Sequence, residues 1–260
     1  MHLCPDTKLL IKSLIVLGIF SVSLEVYSKE FSDKELIERG LVELEQKPVS
    51  INSETRKIEL FKYRERRKKT GVSYAFGLSQ FQPINYEPDF LTLSFQDLYG
   101  VGTSNMAEFQ MFFRRNYSFA TAGIELGFGF YQRKSQDPDP GYTITLQPMR
   151  VGGRLAFDTV WPEPYFVPYV AAGGYFVFFG EEDATRAFKG VTQMAPYATL
   201  GMAFQLDWMD PIGGFNSHIE HGIQNTFLYV EGRTFIASSV ARDPDFSTDI
   251  HLNMGLDLEY

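Results

Sequence analysis

Ile250-His-Leu-Asn-Met-Gly-Leu-Asp-Leu-Glu-Tyr260 alternates without a break. Ile250, Leu252, Met254, Leu256, Leu258 and Tyr260 form one set; Asp249, His251, Asn253, Gly255, Asp257 and Glu259 form the other. Successive side chains of a strand point to opposite faces, so a period of two predicts a long strand with one apolar and one polar face. The same pattern recurs upstream. Val72, Tyr74, Phe76 and Leu78 alternate with Ser73, Ala75, Gly77 and Ser79. Between 118 and 131, Ala120, Ala122, Ile124, Leu126, Phe128 and Phe130 oppose Thr121, Gly123, Glu125, Gly127, Gly129 and Tyr131. Between 195 and 208, Ala198, Leu200, Met202, Phe204, Leu206 and Trp208 oppose Tyr197, Thr199, Gly201, Ala203, Gln205 and Asp207.

The chemistry of the two faces decides the class. A soluble sandwich buries its apolar face and spreads mixed charge over the other. Here the polar face is rich in Gly, Ser, Thr and Ala with isolated charges, which suits a crowded interior. Segments of about ten alternating residues separated by turns mark a transmembrane β-barrel, the one sheet a bilayer tolerates because closure leaves no unpaired edge. Strands are expected near 71–82, 104–115, 118–131, 142–158, 164–180, 193–209, 224–237 and 247–260. The fold is therefore all-β: a closed, antiparallel, up-and-down barrel of about eight strands, with ten as the alternative. The connection at 115–117 is short, whereas 132–141, 181–193 and 238–247 are long and polar. Asp210–Gly222 is long where the alternation of loops calls for a short turn. Asp89–Tyr99, with Phe90-Leu-Thr-Leu-Ser-Phe-Gln96, is also strand-like and is assigned to the first long loop as a short extension.

Composition supports export. The 260 residues are 44% hydrophobic and 15% aromatic, too apolar for a disordered chain. The net charge of −8 argues against nucleic acid, whose phosphates demand a surplus of cations. Lys8 and Lys12 precede the apolar run 13–24, too short for a spanning helix, and Val26-Tyr-Ser28 offers a cleavage site. Residues 1–28 thus read as a cleaved signal peptide, with an uncleaved N-terminal anchor as the alternative. The single cysteine, Cys4, belongs to that signal, which leaves no disulfide scaffold or thiolate metal site.

Residues 29–70 form a charged, partly helical periplasmic segment with 12 basic and 9 acidic residues. Ser32-Asp-Lys-Glu35 has capping-box spacing ahead of a short apolar-periodic run. The cluster Lys62-Tyr-Arg-Glu-Arg-Arg-Lys-Lys69 is either a solvated lead-in or a collar near an anionic surface. The barrel itself is residues 71–260, and it holds 10 basic against 21 acidic residues.

The signal peptide, the cysteine-free remainder, the alternating strands and the closing strand that ends on an aromatic resemble the small outer-membrane β-barrels of Gram-negative bacteria, the OmpA/OmpW-like class. That resemblance implies a cell outer-membrane location, a lipid environment, and Tyr260 as the signal read by the barrel-assembly machinery. A monomer is expected.

Several constellations bear on function. Glu125, Arg150, Arg154, Glu231 and Arg233 fall on the interior parity. An unpaired buried charge costs several kcal/mol, so they are expected to pair into a plug; an ion-conducting path is the alternative. Trp161, Tyr165, Trp208 and Tyr260 lie at strand ends on one side, where amphipathic rings favour a membrane interface. His218 and His221 in Ser217-His-Ile-Glu-His221 could share a helical face, but no third metal ligand accompanies them. His251 with Asp249 could belong to a lipid-modifying barrel enzyme, though no serine motif goes with them. The expected function is non-catalytic and cofactor-free: a structural barrel or, as the resemblance to the OmpW-like class implies, a route for small apolar solutes. A barrel lipid-modifying enzyme and a secreted lipocalin-like binder are the alternatives.

Overall fold

The computed structural model describes residues 49–51, 58–60, 62–87, 93–100, 104–136, 141–183 and 185–260. The signal peptide and the capping box at Ser32 lie outside the described residues. Ahead of the barrel, β1 (Val49–Ile51) and β2 (Ile58–Leu60) pair antiparallel, and a single helical turn, α1 (Tyr63–Arg66), follows.

Eight long strands close on themselves. They are β3 (Thr70–Phe81), β4 (Ser104–Asn116), β5 (Thr121–Lys134), β6 (Thr143–Ala156), β7 (Phe166–Glu182), β9 (Ala195–Gln205), β10 (Asn225–Phe235) and β11 (His251–Glu259). Each pairs antiparallel with its neighbours, and β11 returns to β3 with Gly255 opposite Gly77 and Glu259 opposite Ser73. The alternative of ten strands therefore resolves to eight. The ninth strand of the sheet, β8 (Ala187–Val191), only extends β7, pairing with Phe178–Glu182. Between Phe128↔Met149 and Tyr131↔Leu146 the β5–β6 ladder is interrupted, where Pro148 has no N–H to give.

The two faces sort as their parity dictates. Phe76, Leu78, Ile124, Phe130, Leu200, Leu252, Met254 and Leu256 point outward and are roughly half exposed, while Ser73, Ser79, Glu125, Tyr131, Asn253 and Glu259 point inward and are buried. A soluble protein rarely exposes so continuous an apolar band.

The end of the barrel at Thr70 and Tyr260, here the near end, has a four-residue turn from Asn116 to Thr121. The β6–β7 connection at the same end has nine residues, and the β9–β10 connection folds into α3 (Pro211–His221), capped by Asp210 and stopped by Gly222 at φ +71°. The far end carries the long loops. There the strand-like stretch Asp89–Tyr99 departs from expectation: Phe95–Tyr99 is a helix, α2. Ser94 and Asp97 form a reciprocal capping box, with Asp97 N–H donating to Ser94 Oγ at 3.2 Å. That local hydrogen bonding outweighs alternation over five residues.

Loops and α2 fill the far half of the lumen with an apolar core. Phe81, Tyr86, Phe95, Tyr99, Phe235 and Phe246 are all 2% exposed or less. Tyr86 stacks on Phe246 at 4.3 Å between centroids. Backbone bonds from Ile84 N–H to Ser247 O and from Gln136 N–H to Leu98 O knit three loops into the cap.

Candidate functional site

The middle of the lumen is a charged layer built from six strands. Glu108 comes from β4, Glu125 from β5, Arg150 and Arg154 from β6, Glu231 and Arg233 from β10, with Asn253 and Asp257 from β11 and Tyr169 from β7. Each stands on an inward position, and each is nearly inaccessible; Arg233 is 1% exposed. Three guanidinium groups meet four carboxylates. Arg233 bridges Glu108 and Glu231, and Arg150 pairs with Glu108 and with Glu125, the latter at 3.2 Å. Arg154 lies between Glu125 at 3.8 Å and Asp257 at 3.7 Å.

Neutral donors complete the layer. Tyr169 donates to Glu231 Oε2 at 2.6 Å, and Asn253 Nδ2 to Glu231 Oε1 at 2.9 Å and also to Glu108. Arg233 Nε donates to Thr199 Oγ1 at 3.2 Å. The Arg154 guanidinium lies 3.8 Å from the centroid of the Tyr169 ring, close enough for strong cation–π attraction in a desolvated site. Buried carboxylates and guanidiniums are tolerated when they are paired and hydrogen-bonded; every guanidinium of this layer is ion-paired, while Arg154 is held by its ion pairs and the Tyr169 ring.

Glycines make the space for these large groups. Gly127 faces Arg150 across the β5–β6 ladder, and a Cβ there would sit 2.7 Å from Arg150 Cγ. Gly201 likewise faces Tyr169 on β7, leaving 2.7 Å to its Cε2.

A second polar layer closes the near end. Arg114 pairs with Glu259 at 2.6 Å, and Asn225 Nδ2 donates to Glu259 Oε2 at 2.9 Å. Tyr63 of α1 is fully buried in the mouth, its hydroxyl 2.9 Å from both Asp158 Oδ2 and Glu259 Oε1. Arg67 pairs with Asp158 at 2.9 Å and donates to the Tyr117 carbonyl; Thr121 Oγ1 donates to Asp158 at 2.6 Å. Burial, reinforced by the carboxylates of Glu259 and Asp158, pushes the Tyr63 phenol well above its ordinary range. It is therefore held as a neutral donor. Arg67, read from sequence as part of a lead-in or collar, instead turns into the barrel mouth because Asp158 waits there.

The remaining sequence candidates are placed as follows. Trp161 (42% exposed) and Tyr165 lie in the β6–β7 connection, Trp208 at the exit of β9, and Tyr260 beyond β11, all at the near end. Trp161 meets Phe166 edge-on at 6.1 Å, and Tyr260 meets Tyr74 at 5.8 Å. His218 is buried, its Nδ1 3.1 Å from Ile223 O, whereas His221 and Glu220 are exposed. The two imidazoles thus face different surroundings. His251 faces inward, with Nδ1 3.1 Å from Thr248 Oγ1 and its ring against Phe81 and Phe235. Asp249 is exposed, since β11 begins only at His251; it meets the imidazole through its backbone, not its carboxylate. Glu108, Arg114, Asp158, Tyr63 and Tyr169 are among the groups of this site that sequence reasoning did not single out.

No protein-family model matches the chain, and no curated protein matches it in sequence. Solved structures similar to it are outer-membrane barrels. The outer membrane protein OprG of Pseudomonas aeruginosa is 12% identical with a TM-score of 0.49, over 75% of this chain and 97% of that one. Ail of Yersinia pestis, the attachment invasion locus protein, is 10% identical with a TM-score of 0.39, over 74% and 97%. The N-terminal β-barrel domain of Pseudomonas aeruginosa OprF is 10% identical with a TM-score of 0.37, over 74% and 98%.

Proposed function

We propose that this chain is a non-conducting, non-catalytic outer-membrane barrel whose role is structural. One observation carries the reading: a closed barrel wears an apolar belt outside and a fully paired charge layer inside. The belt demands hydrocarbon as its solvent. The layer fills the lumen, and eight strands enclose an interior only just wide enough for side chains. The rings of Trp161, Tyr165, Trp208 and Tyr260 then sit in the interface at the near end, which becomes the periplasmic side.

A second reading, passage of small apolar solutes, is favoured by the far half of the lumen, where the lining is Phe81, Tyr131, Ile144, Leu146 and Val177. On that reading solute must displace the loops and α2 that fill that half and find a way past the charge layer.

Detergent-dependent extraction with a heat-induced gel shift is expected, and solubility without detergent would sink the membrane reading. Reconstitution into planar bilayers should give no steady conductance; a persistent open channel would refute the plugged lumen. Uptake of a radiolabelled apolar solute into vesicles distinguishes the second reading from the first.

A further inference from the structure

The β9–β10 connection is the longest at the near end, and its helix keeps a face that the barrel leaves uncovered. The outward row of β9 runs through Leu200, Met202 and Phe204 and continues past the strand end to Trp208. Asp210 then caps α3, accepting from the Gly213 N–H at 3.0 Å, and Pro211 takes the first helical position.

Helical geometry divides α3 into three edges. Gly214 and His218 lie on the inner edge: a Cβ on Gly214 would come 2.9 Å from Asp207 Cβ, and His218 is buried against the chain that follows. Asn216 and Glu220 occupy a polar, exposed edge. Between them, Ile212, Phe215 and Ile219 fall at the i, i+3, i+7 spacing of a single apolar stripe. Ile212 is 75% exposed and Ile219 50%, and Trp208 and Met209 at the helix entrance are also bare.

We propose that α3 is an in-plane anchor whose Ile212–Ile219 stripe is seated among phospholipid acyl chains of the periplasmic leaflet. The inference rests on the membrane-barrel reading. Three observations favour lipid as the occupant. The stripe is continuous with the outward row of β9 through Trp208, and the ring contacts Phe204–Phe166 at 5.6 Å and Phe166–Trp161 at 6.1 Å carry the same surface sideways. The apolar groups expose on the order of 500 Å², under the roughly 600 Å² per partner at which specific protein interfaces begin; a lipid surface sets no such minimum. Finally, residues 210–222 contain no lysine or arginine, so attachment draws on apolar burial and is indifferent to anionic headgroups and to salt.

The test uses the full chain in bilayers of dioleoylphosphatidylcholine doped with a phosphatidylcholine brominated on its acyl chains. Trp161→Phe with Trp208→Phe removes both tryptophans, and single reporters are then introduced as Leu200→Trp, Ile212→Trp or His221→Trp, the last on the exposed face opposite the stripe. Leu200→Trp and Ile212→Trp should lose most of their emission, and His221→Trp should keep its own, equally at low and high salt. An unquenched Leu200→Trp means the barrel is not in the bilayer and sinks the reading beneath. A quenched Leu200→Trp beside an unquenched Ile212→Trp overturns the anchor alone, as does equal quenching at 212 and 221. A concentration-dependent blue shift of Ile212→Trp without quenching assigns the stripe to a second copy and overturns it too. The heat-induced gel shift verifies folding of each variant, and Ile219→Trp replaces Ile212→Trp if that variant does not fold.

Discussion

The hydroxyl of Tyr229 occupies the space that a Cβ on Gly77 would need, although the two residues stand on strands that do not touch. Gly255 lies between them, opposite Tyr229 on one side and opposite Gly77 on the other. A phenol from β10 thus lies across two glycines and locks the strand that closes the barrel to the strand that opens it. Tyr197 repeats the arrangement over Gly173, its partner, and Gly152.

Filling one of these slots should loosen the seam. Gly77→Val is expected to cost about 1–3 kcal/mol, the range for overpacking a filled interior. The midpoint of urea unfolding in detergent reads it. Because the clash is shared between the Tyr229 oxygen and the Met254 carbonyl, adding Tyr229→Phe should recover part of the loss, and strict additivity of the two changes would contradict the contact.

Arg233 is the cation that ion-pairs with Glu231 among the described residues. Arg233→Met leaves that carboxylate buried without it and should destabilise by about 3–5 kcal/mol. The double change Arg233→Met with Glu231→Leu should be closer to the parent than the single one, measured by the same unfolding curve. If the double is worse, the pair is a net stabiliser in its own right.

Leu200 stands at the middle of β9 and is 67% exposed. In a bilayer, Leu200→Lys should cost about 2–4 kcal/mol, the range for a lysine near the membrane midplane. Val240→Lys, in a far-end loop, should change stability by no more than about 0.5 kcal/mol. Equal effects at the two positions would speak against a hydrocarbon belt.

Tyr63 gives an alkaline signature. Its phenol is raised in the folded protein by burial and by the carboxylates of Glu259 and Asp158. Its contribution is fully present below the ordinary tyrosine value of about 10 and is lost as pH rises through the higher folded value. The stability difference between the parent and Tyr63→Phe should therefore be constant from neutral pH to about 10 and shrink above it. A difference that grows with alkalinity would contradict a neutral donor at this site.

The barrel was legible in the sequence where one face is uniformly apolar, as in Thr121–Tyr131, Ala195–Gln205 and His251–Glu259. The inward charges Glu125, Arg150, Arg154, Glu231 and Arg233 could be found by parity alone. Glu108 and Arg114 escaped because β4 carries large apolar side chains on both faces: Met106 and Phe112 point inward, Phe109 and Phe113 outward. Asp158 escaped for a different reason. It lies past the end of β6, where parity no longer applies and the turn swings it over the mouth. Tyr63 and Arg67 belong to the lead-in, and their partners lie about 50 to 200 residues away in sequence, so no local pattern could announce them.

The charge layer also bears on how such a chain can be assembled. Its ties join Arg233 to Glu108 across 125 residues and Asn253 to Glu108 across 145, while Tyr63 reaches Glu259 across 196. These ties cross the seam where β11 meets β3, so wherever the barrel is open the same groups have water in place of one another. The network and the seam therefore depend on the same closure, and weakening either weakens both.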